Sequence, residues 1–271
     1  MSVIRKPAVS GMFYPDGAED LQGAVRGYMA DAEPPAAPSA TIPPKAIIAP
    51  HAGYIYSGPV AGQAYGALAP HRDVIHRVVL IGPCHRVAVR GLALPDADAF
   101  ETPLGTVPLD RTAMDRIAAL PQVCTLDATH AQEHSLEVHL PFLQEALGDF
   151  TLVPLVAGDA TAEEVAAVIE ALWDGPETLI VISSDLSHYL DYDTARALDA
   201  QTAAAIEALN GDAIGPEQAC GRVPVRGLLR LAKKHGLSVH RAGLCTSGDT
   251  AGPRDRVVGY GAWLFYQGAP A

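Results

Sequence analysis

Positive charge is scarce in this chain: 19 Lys and Arg face 31 Asp and Glu, a formal net charge of −12 over 271 residues. With no basic stripe anywhere, a nucleic-acid surface or an anionic-membrane surface is excluded, because both need clustered cations. Long apolar runs are missing too; none approaches the roughly eighteen residues a membrane span requires. The opening MSVIRKPAVSGMFYP lacks the apolar core of a signal peptide, so a soluble, cytoplasmic protein is expected. Cysteine is sparse. Cys84, Cys124, Cys220 and Cys245 are widely spaced with no CxxC pair, which predicts reduced thiols rather than a disulfide framework or a structural zinc. No internal repeat occurs, and the one biased stretch is PPAAPSATIPP.

What is present is enough apolar sequence, 49%, for a deep core. The segment Lys45 to Pro59, KAIIAPHAGYIYSGP, shows how it is used: a buried run ends at Pro50 and is followed at once by His51, a glycine and two phenols, Tyr54 and Tyr56. RVVLIGPCHR, Arg77 to Arg86, repeats the design and ends on His85. Two apolar strands that each stop at Pro or Gly before a histidine predict two imidazoles at one sheet edge, where open α/β sheets hold ligands. Around these, the pattern predicts a helix from Asp16 or Gly17 with Leu21, Val25 and Met29 on one stripe. The Pro/Ala stretch reads as a covering loop, and a helix is expected over Pro59 to Leu68 with proline in its first turn. A small strand excursion is expected over Gly91 to Pro108, then a helix capped by Asp110. Strands at Leu152 to Val156 and Thr178 to Ile182 flank a helix at Thr161 to Trp173. Helices at Asp193 to Leu209 and Val223 to His235 precede strands near Ser238 to Ala242 and Val257 to Phe265. The expected architecture is one three-layer α/β/α domain with a mixed, mainly parallel sheet. Residues 1–44 supply an N-terminal helix and covering loop, and 45–271 the α/β core.

Four stretches carry groups with chemistry. His51 and His85 suit metal binding or proton transfer, against the blander reading of two hydrogen-bonded loop histidines. In SSDLSHY, Asp185 stands three residues before His188, close enough on one turn to orient its ring, although Asp185 can equally cap that turn. The adjacent Ser183 and Ser184 lack a GxSxG elbow, which argues against a serine nucleophile. EHSLEVHLP packs Glu133, His134, Glu137 and His139 together without the HExxH spacing of a zinc protease, and these are read as lying behind the metal or facing substrate. LCTSGDTAG offers Cys245, Asp249 and Thr250 in a glycine-bearing loop. An anion there would complete a site of two histidines and one carboxylate, which suits Fe(II); the alternative is an Asx turn.

GMFYP, APHAGYIYSGPVA, IGPCHR, EHSLEVHLPFLQ, SSDLSHY, and TSGDT followed by VVGYGAW run in order over nearly the whole chain. In these motifs the chain resembles the Memo family, whose bacterial and archaeal members are called AmmeMemoRadiSam system protein B. That family in turn resembles class III extradiol ring-cleavage dioxygenases, which hold Fe(II) with two histidines and a glutamate on a single-domain α/β scaffold. Animal Memo is reported to bind iron or copper through two histidines and a cysteine. Carried over by motif, the resemblance implies His51 and His85 as metal ligands and His188, with Asp185, as acid/base. Where the animal cysteine is expected this chain offers Asp249 or Thr250, with Cys245 four residues earlier; Asp249 is ranked first. Tyr54, His134, Glu137, His139, Cys245 and Thr250 are expected around ligands and substrate. The resemblance implies an Fe(II) redox enzyme of dioxygenase type, with Cu or Zn as alternative metals, acting on a small molecule. A peptide or small-molecule binding module without turnover is the alternative, a zinc hydrolase the outsider. AMMECR-domain and radical-SAM pathway partners are implied by the family name.

Overall fold

Four apolar runs whose residues are almost entirely buried form the middle of the sheet: β2 (Ala46–Ala49), β3 (Arg77–Pro83), β8 (Thr151–Ala157) and β9 (Thr178–Ser183). They pair in parallel in the spatial order β2, β9, β3, β8. Such strands are covered on both faces, which is why they read as continuous Val/Ile/Leu stretches and not as alternating ones. The structure, a computed structural model, describes residues 2–31 and 42–268; the Pro/Ala stretch expected as a covering loop falls largely outside the described residues.

The remaining elements are β1 (Ile4–Arg5), α1 (Ala18–Ala30), α2 (Tyr54–Gly66), β4 (Leu92–Leu94), β5 (Ala99–Thr102), β6 (Gly105–Pro108), α3 (Arg111–Ala118), β7 (Val123–Thr125), α4 (Ala128–Ala131) and α5 (Leu140–Leu147). They continue with α6 (Ala162–Ala171), β10 (His188–Leu190), α7 (Tyr192–Glu207), α8 (Arg222–Lys234), β11 (Ser238–Thr246) and β12 (Val257–Tyr266). The main sheet runs β10-β12-β2-β9-β3-β8-β4-β7, with β11 also paired to β12. It is mixed: the parallel centre is flanked by β12, antiparallel to β2, and by β4, antiparallel to β8. Helices α1, α2 and α5 pack together, with α2 on β2, β11 and β12; α6 pairs with α8, which lies on β3 and β9, and α7 lies on β11 and β12. The result is a three-layer α/β/α architecture. No helix among the described residues is long and apolar enough to cross a membrane.

Two local expectations change. The predicted excursion over Gly91 to Pro108 divides: β4 joins the main sheet, while β5 and β6 form a separate three-stranded sheet with β1. The helix expected from Pro59 begins five residues earlier and carries Pro59 in its interior. Tertiary contacts account for this. The Tyr54 N–H donates to the Phe13 carbonyl at 2.8 Å, which places the helix start, and Gly62 lies where a Cβ would come within 2.2 Å of the Tyr28 carbonyl oxygen. Close approach of α1 to α2 at that glycine outweighs the helix cost of an internal proline.

Two buried histidines behind the sheet edge make stability pH-dependent. His130 donates Nε2–H to the Ala93 carbonyl at 3.0 Å, and burial lowers its pKa to about 4; burial lowers that of His139 to about 3. Both are held neutral, whereas the unfolded chain takes up their protons near pH 6.5. A depressed folded value means that this stability is complete above about 6.5 and is lost as pH falls towards the folded values. For His130 the swing is about 3 kcal/mol. His130→Gln retains a donor for Ala93 but no titratable nitrogen, so urea melts between pH 7 and 4 should show a shallower loss than the parent; an unchanged slope would assign the acid sensitivity elsewhere.

Candidate metal centre

Because β2, β9 and β3 are neighbours, their carboxyl ends open side by side, and the residues that follow them meet although they are far apart in sequence. β2 delivers His51, β9 delivers Asp185 and His188, and β3 delivers His85. A third imidazole, His134, arrives on the loop between α4 and the 3₁₀ turn Glu137–His139. His51, His85 and His134 each offer one ring nitrogen, and these three atoms lie within 4.8 Å of one another. The rings of His85 and His134 stack with centroids 4.8 Å apart, and His51 stands edge-on to both, 5.3 Å from His85 and 5.4 Å from His134.

Hydrogen bonds fix the proton on the far side of two of these rings. The Ser183 hydroxyl donates its one proton to the Ser135 carbonyl at 2.6 Å, so towards His51 Nδ1, also at 2.6 Å, it accepts. His51 therefore carries Nδ1–H and keeps its Nε2 lone pair. His85 Nδ1 sits 2.9 Å from Glu133 Oε1, and its backbone N–H donates to Oε2 at 2.6 Å. Burial opposes ionisation of Glu133, but the His85 bonds and the Ser135 N–H outweigh it and hold the carboxyl down to about 2. A carboxylate behind a ligating imidazole is the arrangement that orients metal-binding histidines and raises their donor strength. His134 Nδ1 is buried without a hydrogen-bond partner, and burial lowers that ring's pKa to about 4; burial also lowers His51 strongly. Both rings are neutral donors at pH 7. Three nitrogens at about 2.1 Å from one tetrahedral ion stand about 3.4 Å apart, so from separations of up to 4.8 Å these side chains would hold a transition metal after closing by at most about 1.4 Å.

The cavity in front of them has a volume of about 630 Å³. His188 and Asp185 also line it, but not as a pair. His188 donates Nδ1–H to the Leu186 carbonyl at 2.8 Å, while Asp185 Oδ1 accepts the His51 backbone N–H at 2.7 Å. The chain turns at Leu186, pointing the two side chains to different partners, so Asp185 positions His51 and not His188. Burial raises Asp185 to about 7 and lowers His188.

The expected third ligand is elsewhere. Asp249 accepts from the Thr246 N–H at 2.9 Å, the Thr246 hydroxyl at 3.0 Å and the Tyr192 hydroxyl at 2.5 Å, capping the turn after β11. It borders a different cavity, together with Cys245, and Thr250 donates to the Ser247 carbonyl in the same turn. The alternative reading of that loop was an Asx turn; what forms is a reciprocal capping box between Thr246 and Asp249 on the 3₁₀ turn Ser247–Asp249. Three more expected neighbours are buried away from the cavity. Tyr54 donates to the Val138 carbonyl at 2.7 Å, His139 shares a 2.7 Å hydrogen bond with Tyr65, and Glu137 gathers donors from the N-terminal segment.

Two residues escaped the sequence reading. Cys220 Sγ lies 3.4 Å from His51 Nε2 at the cavity wall, with burial pushing its thiol up to about 12, so that it stands as an S–H beside that lone pair. Asp199, buried on α7, accepts the Ser187 N–H at 3.0 Å and so anchors the residue before His188. Nothing in either local sequence marks them; the Gly221 that lets Cys220 approach, a Cβ there being 2.4 Å from the Ser183 carbonyl, is the nearest to a signal.

Comparison with known proteins places this geometry in context. Residues 5–264 match the family described as Memo-like protein. Among curated relatives, a MEMO1 family protein of Aquifex aeolicus is 34% identical over 97% of this chain and 99% of its own length. A MEMO1 family protein of Ignicoccus hospitalis is 35% identical over the same shares. The crystal structure of an uncharacterized protein from Escherichia coli K12 superposes with a TM-score of 0.51 at 15% identity, covering 79% of this chain and 98% of that one, a likeness of fold alone.

Proposed function

The chain belongs to the Memo-like protein family, and from that premise we propose that it is a metal-dependent redox enzyme of extradiol-dioxygenase type acting on a small hydroxylated molecule. His51, His85 and His134 would hold the metal, for which we propose Fe(II). The observation that carries the reading is the trio of convergent imidazoles, two of them tied on their far side to Ser183 and Glu133. Bound there, iron would supply a redox-active Lewis acid for oxygen and substrate.

The chain's own residues account for the rest. Asp185 and Ser183 hold His51 in place through its backbone N–H and its ring. His188 keeps its Nε2 lone pair facing away from the Leu186 carbonyl, and burial lowers its pKa, so at neutral pH it is an unprotonated base able to accept a substrate hydroxyl proton. The replacement of the expected carboxylate by a third imidazole favours zinc as the second reading, since three histidines also suit a hydrolytic zinc centre.

Metal analysis of protein purified without oxygen, followed by oxygen uptake with catechol-like substrates, tests the proposal. Iron with oxygen uptake supports it; zinc without uptake replaces it by the hydrolytic reading. His188→Gln should retain the metal and lower turnover about a hundredfold, the lower end of what a positioned base contributes. Full turnover with retained metal would remove His188 from the chemistry.

A further inference from the structure

Positive charge is scarce along the chain, yet it collects on α8. Of the 19 Lys and Arg, that helix carries Arg222, Arg226, Arg230, Lys233 and Lys234, with no Asp or Glu among its residues. Spacings of four and three put Arg226, Arg230 and Lys233 on one side of the helix, and all three line a small cavity closed by Asn210, Gly211 and Asp212 of the turn that follows α7. Three cations are too few for the surface a nucleic acid needs, but they surround a space the size of one small anion. The cavity has a volume of about 130 Å³. That is room for about four waters at roughly 30 Å³ each, and hence for one phosphate group but not for the body of a nucleotide. It shares no lining residue with the metal cavity.

The cations around it are positioned but not fully satisfied. Gly211 lies against the stem of Arg226, where a Cβ would come within 3.3 Å of the Arg226 Cα and 3.4 Å of its Cγ, so turn and arginine pack closely. Leu209, held in the left-handed region at φ 53°, turns the chain onto α8 just before that contact. Arg226 Nε is buried without a hydrogen-bond partner among the described residues, an orphaned cationic donor of the kind an anion satisfies. Its Nη2 donates to Asp212 Oδ1 at 2.9 Å, but that carboxylate is 83% exposed. Arg230 pairs with Glu163 at 3.1 Å, a solvent-exposed pair worth little. Lys233 is exposed and makes no hydrogen bond or ion pair with another described residue, whereas its neighbour Lys234 is turned to Glu170 at 3.1 Å and does not line the cavity. Asp212 in the wall and Glu163 outside it oppose three cations, which leaves positive charge in excess at this point of a protein whose net charge is −12.

We propose that the cavity between α8 and the turn after α7 binds one phosphate dianion, free or as a small phosphate monoester whose body lies outside, held by Arg226 with Arg230 and Lys233. The connection that begins at this cavity ends in Pro216, Glu217, Ala219 and Cys220 on the wall of the metal cavity. A phosphate here ties down the start of the loop whose far end stands beside His51.

Inorganic phosphate and glycerol 3-phosphate, titrated calorimetrically into the full chain, test the site. The protein is first treated with chelator, so that no metal at the imidazoles takes the anion, and kept at about pH 8, where both probes are dianions, with ionic strength held constant by chloride. One saturable site is expected, and the tighter probe identifies the free or the esterified form as the ligand. Arg226→Gln should weaken binding at least about tenfold, the worth of a hydrogen bond between charged groups, and Lys233→Gln about two- to fivefold. Lys234→Gln, one residue along and facing Glu170, should leave it unchanged, which separates a site from general attraction to the helix. Hydrogen exchange should slow with phosphate over residues 209–214, while circular dichroism and thermal melting report that each variant is folded. Should Arg226→Gln fail to fold, Arg230→Gln, half exposed, carries the same expectation of weaker binding. No saturable binding by either probe, equal losses in Lys233→Gln and Lys234→Gln, or protection confined to the walls of the metal cavity would overturn the proposal.

Discussion

Replacing His51 by alanine is expected to abolish transition-metal binding, taking the metal content from about one ion per chain to near zero. Loss of residues that merely support a ligand already costs 10- to 100-fold in affinity, and loss of one of three donors costs more. His51 is buried, so the variant also removes packing, and its melting temperature must be followed beside the metal content. His85→Ala supplies the independent check: its side chain is 30% exposed, and its loss leaves a smaller hole. Both variants should lose metal, and Asp249→Asn should keep it, because Asp249 serves the turn after β11. Full metal content in folded His51→Ala and His85→Ala would dismantle the proposed centre, and loss of metal in Asp249→Asn would restore the ligand set expected from the motifs alone.

Glu137→Ala is expected to destabilise the fold by about 3 to 5 kcal/mol, the cost of breaking a buried ion pair from one side. The Glu137 carboxylate is fully buried; it pairs with Arg5 and accepts from the Ala8 N–H at 2.7 Å, the Val9 N–H at 3.0 Å and the Tyr14 hydroxyl at 2.6 Å. Alanine would leave the Arg5 guanidinium, itself buried, without its anion and untie the segment that carries Phe13 to His134. Urea unfolding measures this as a lower midpoint at unchanged slope. Glu137→Gln keeps an acceptor oxygen and should cost less. A loss below about 1 kcal/mol in Glu137→Ala would show that the carboxylate is not what closes the N-terminal segment over the sheet.

The order of apolar runs and helical stripes in the sequence was enough to determine an α/β sheet with helices on both faces, since burial on two faces demands continuous apolar strands. It was also enough to put His51 and His85 at strand ends, because Pro50 follows the last residue of β2 and directly precedes His51, and β3 ends at Pro83, two residues before His85. Family membership was legible in the motifs, three of which, APHAGY, GPCHR and SSDLSHY, span the turns that follow β2, β3 and β9. What remained was decided by tertiary structure. Asp249 follows β11 at the sheet's antiparallel flank, where local hydrogen bonds to Thr246 and Tyr192 satisfy it, and motif counting carries no information about that placement. His134 reaches the centre on a loop beside Glu133, whose carboxylate is held by His85 and Ser135, while its neighbour Glu137 faces the N-terminal segment. Cys220 meets His51 from a loop 169 residues away. Spacing along a chain determines which side chains share a face of one element; which loops converge on one cavity depends on strand order and on contacts far apart in sequence.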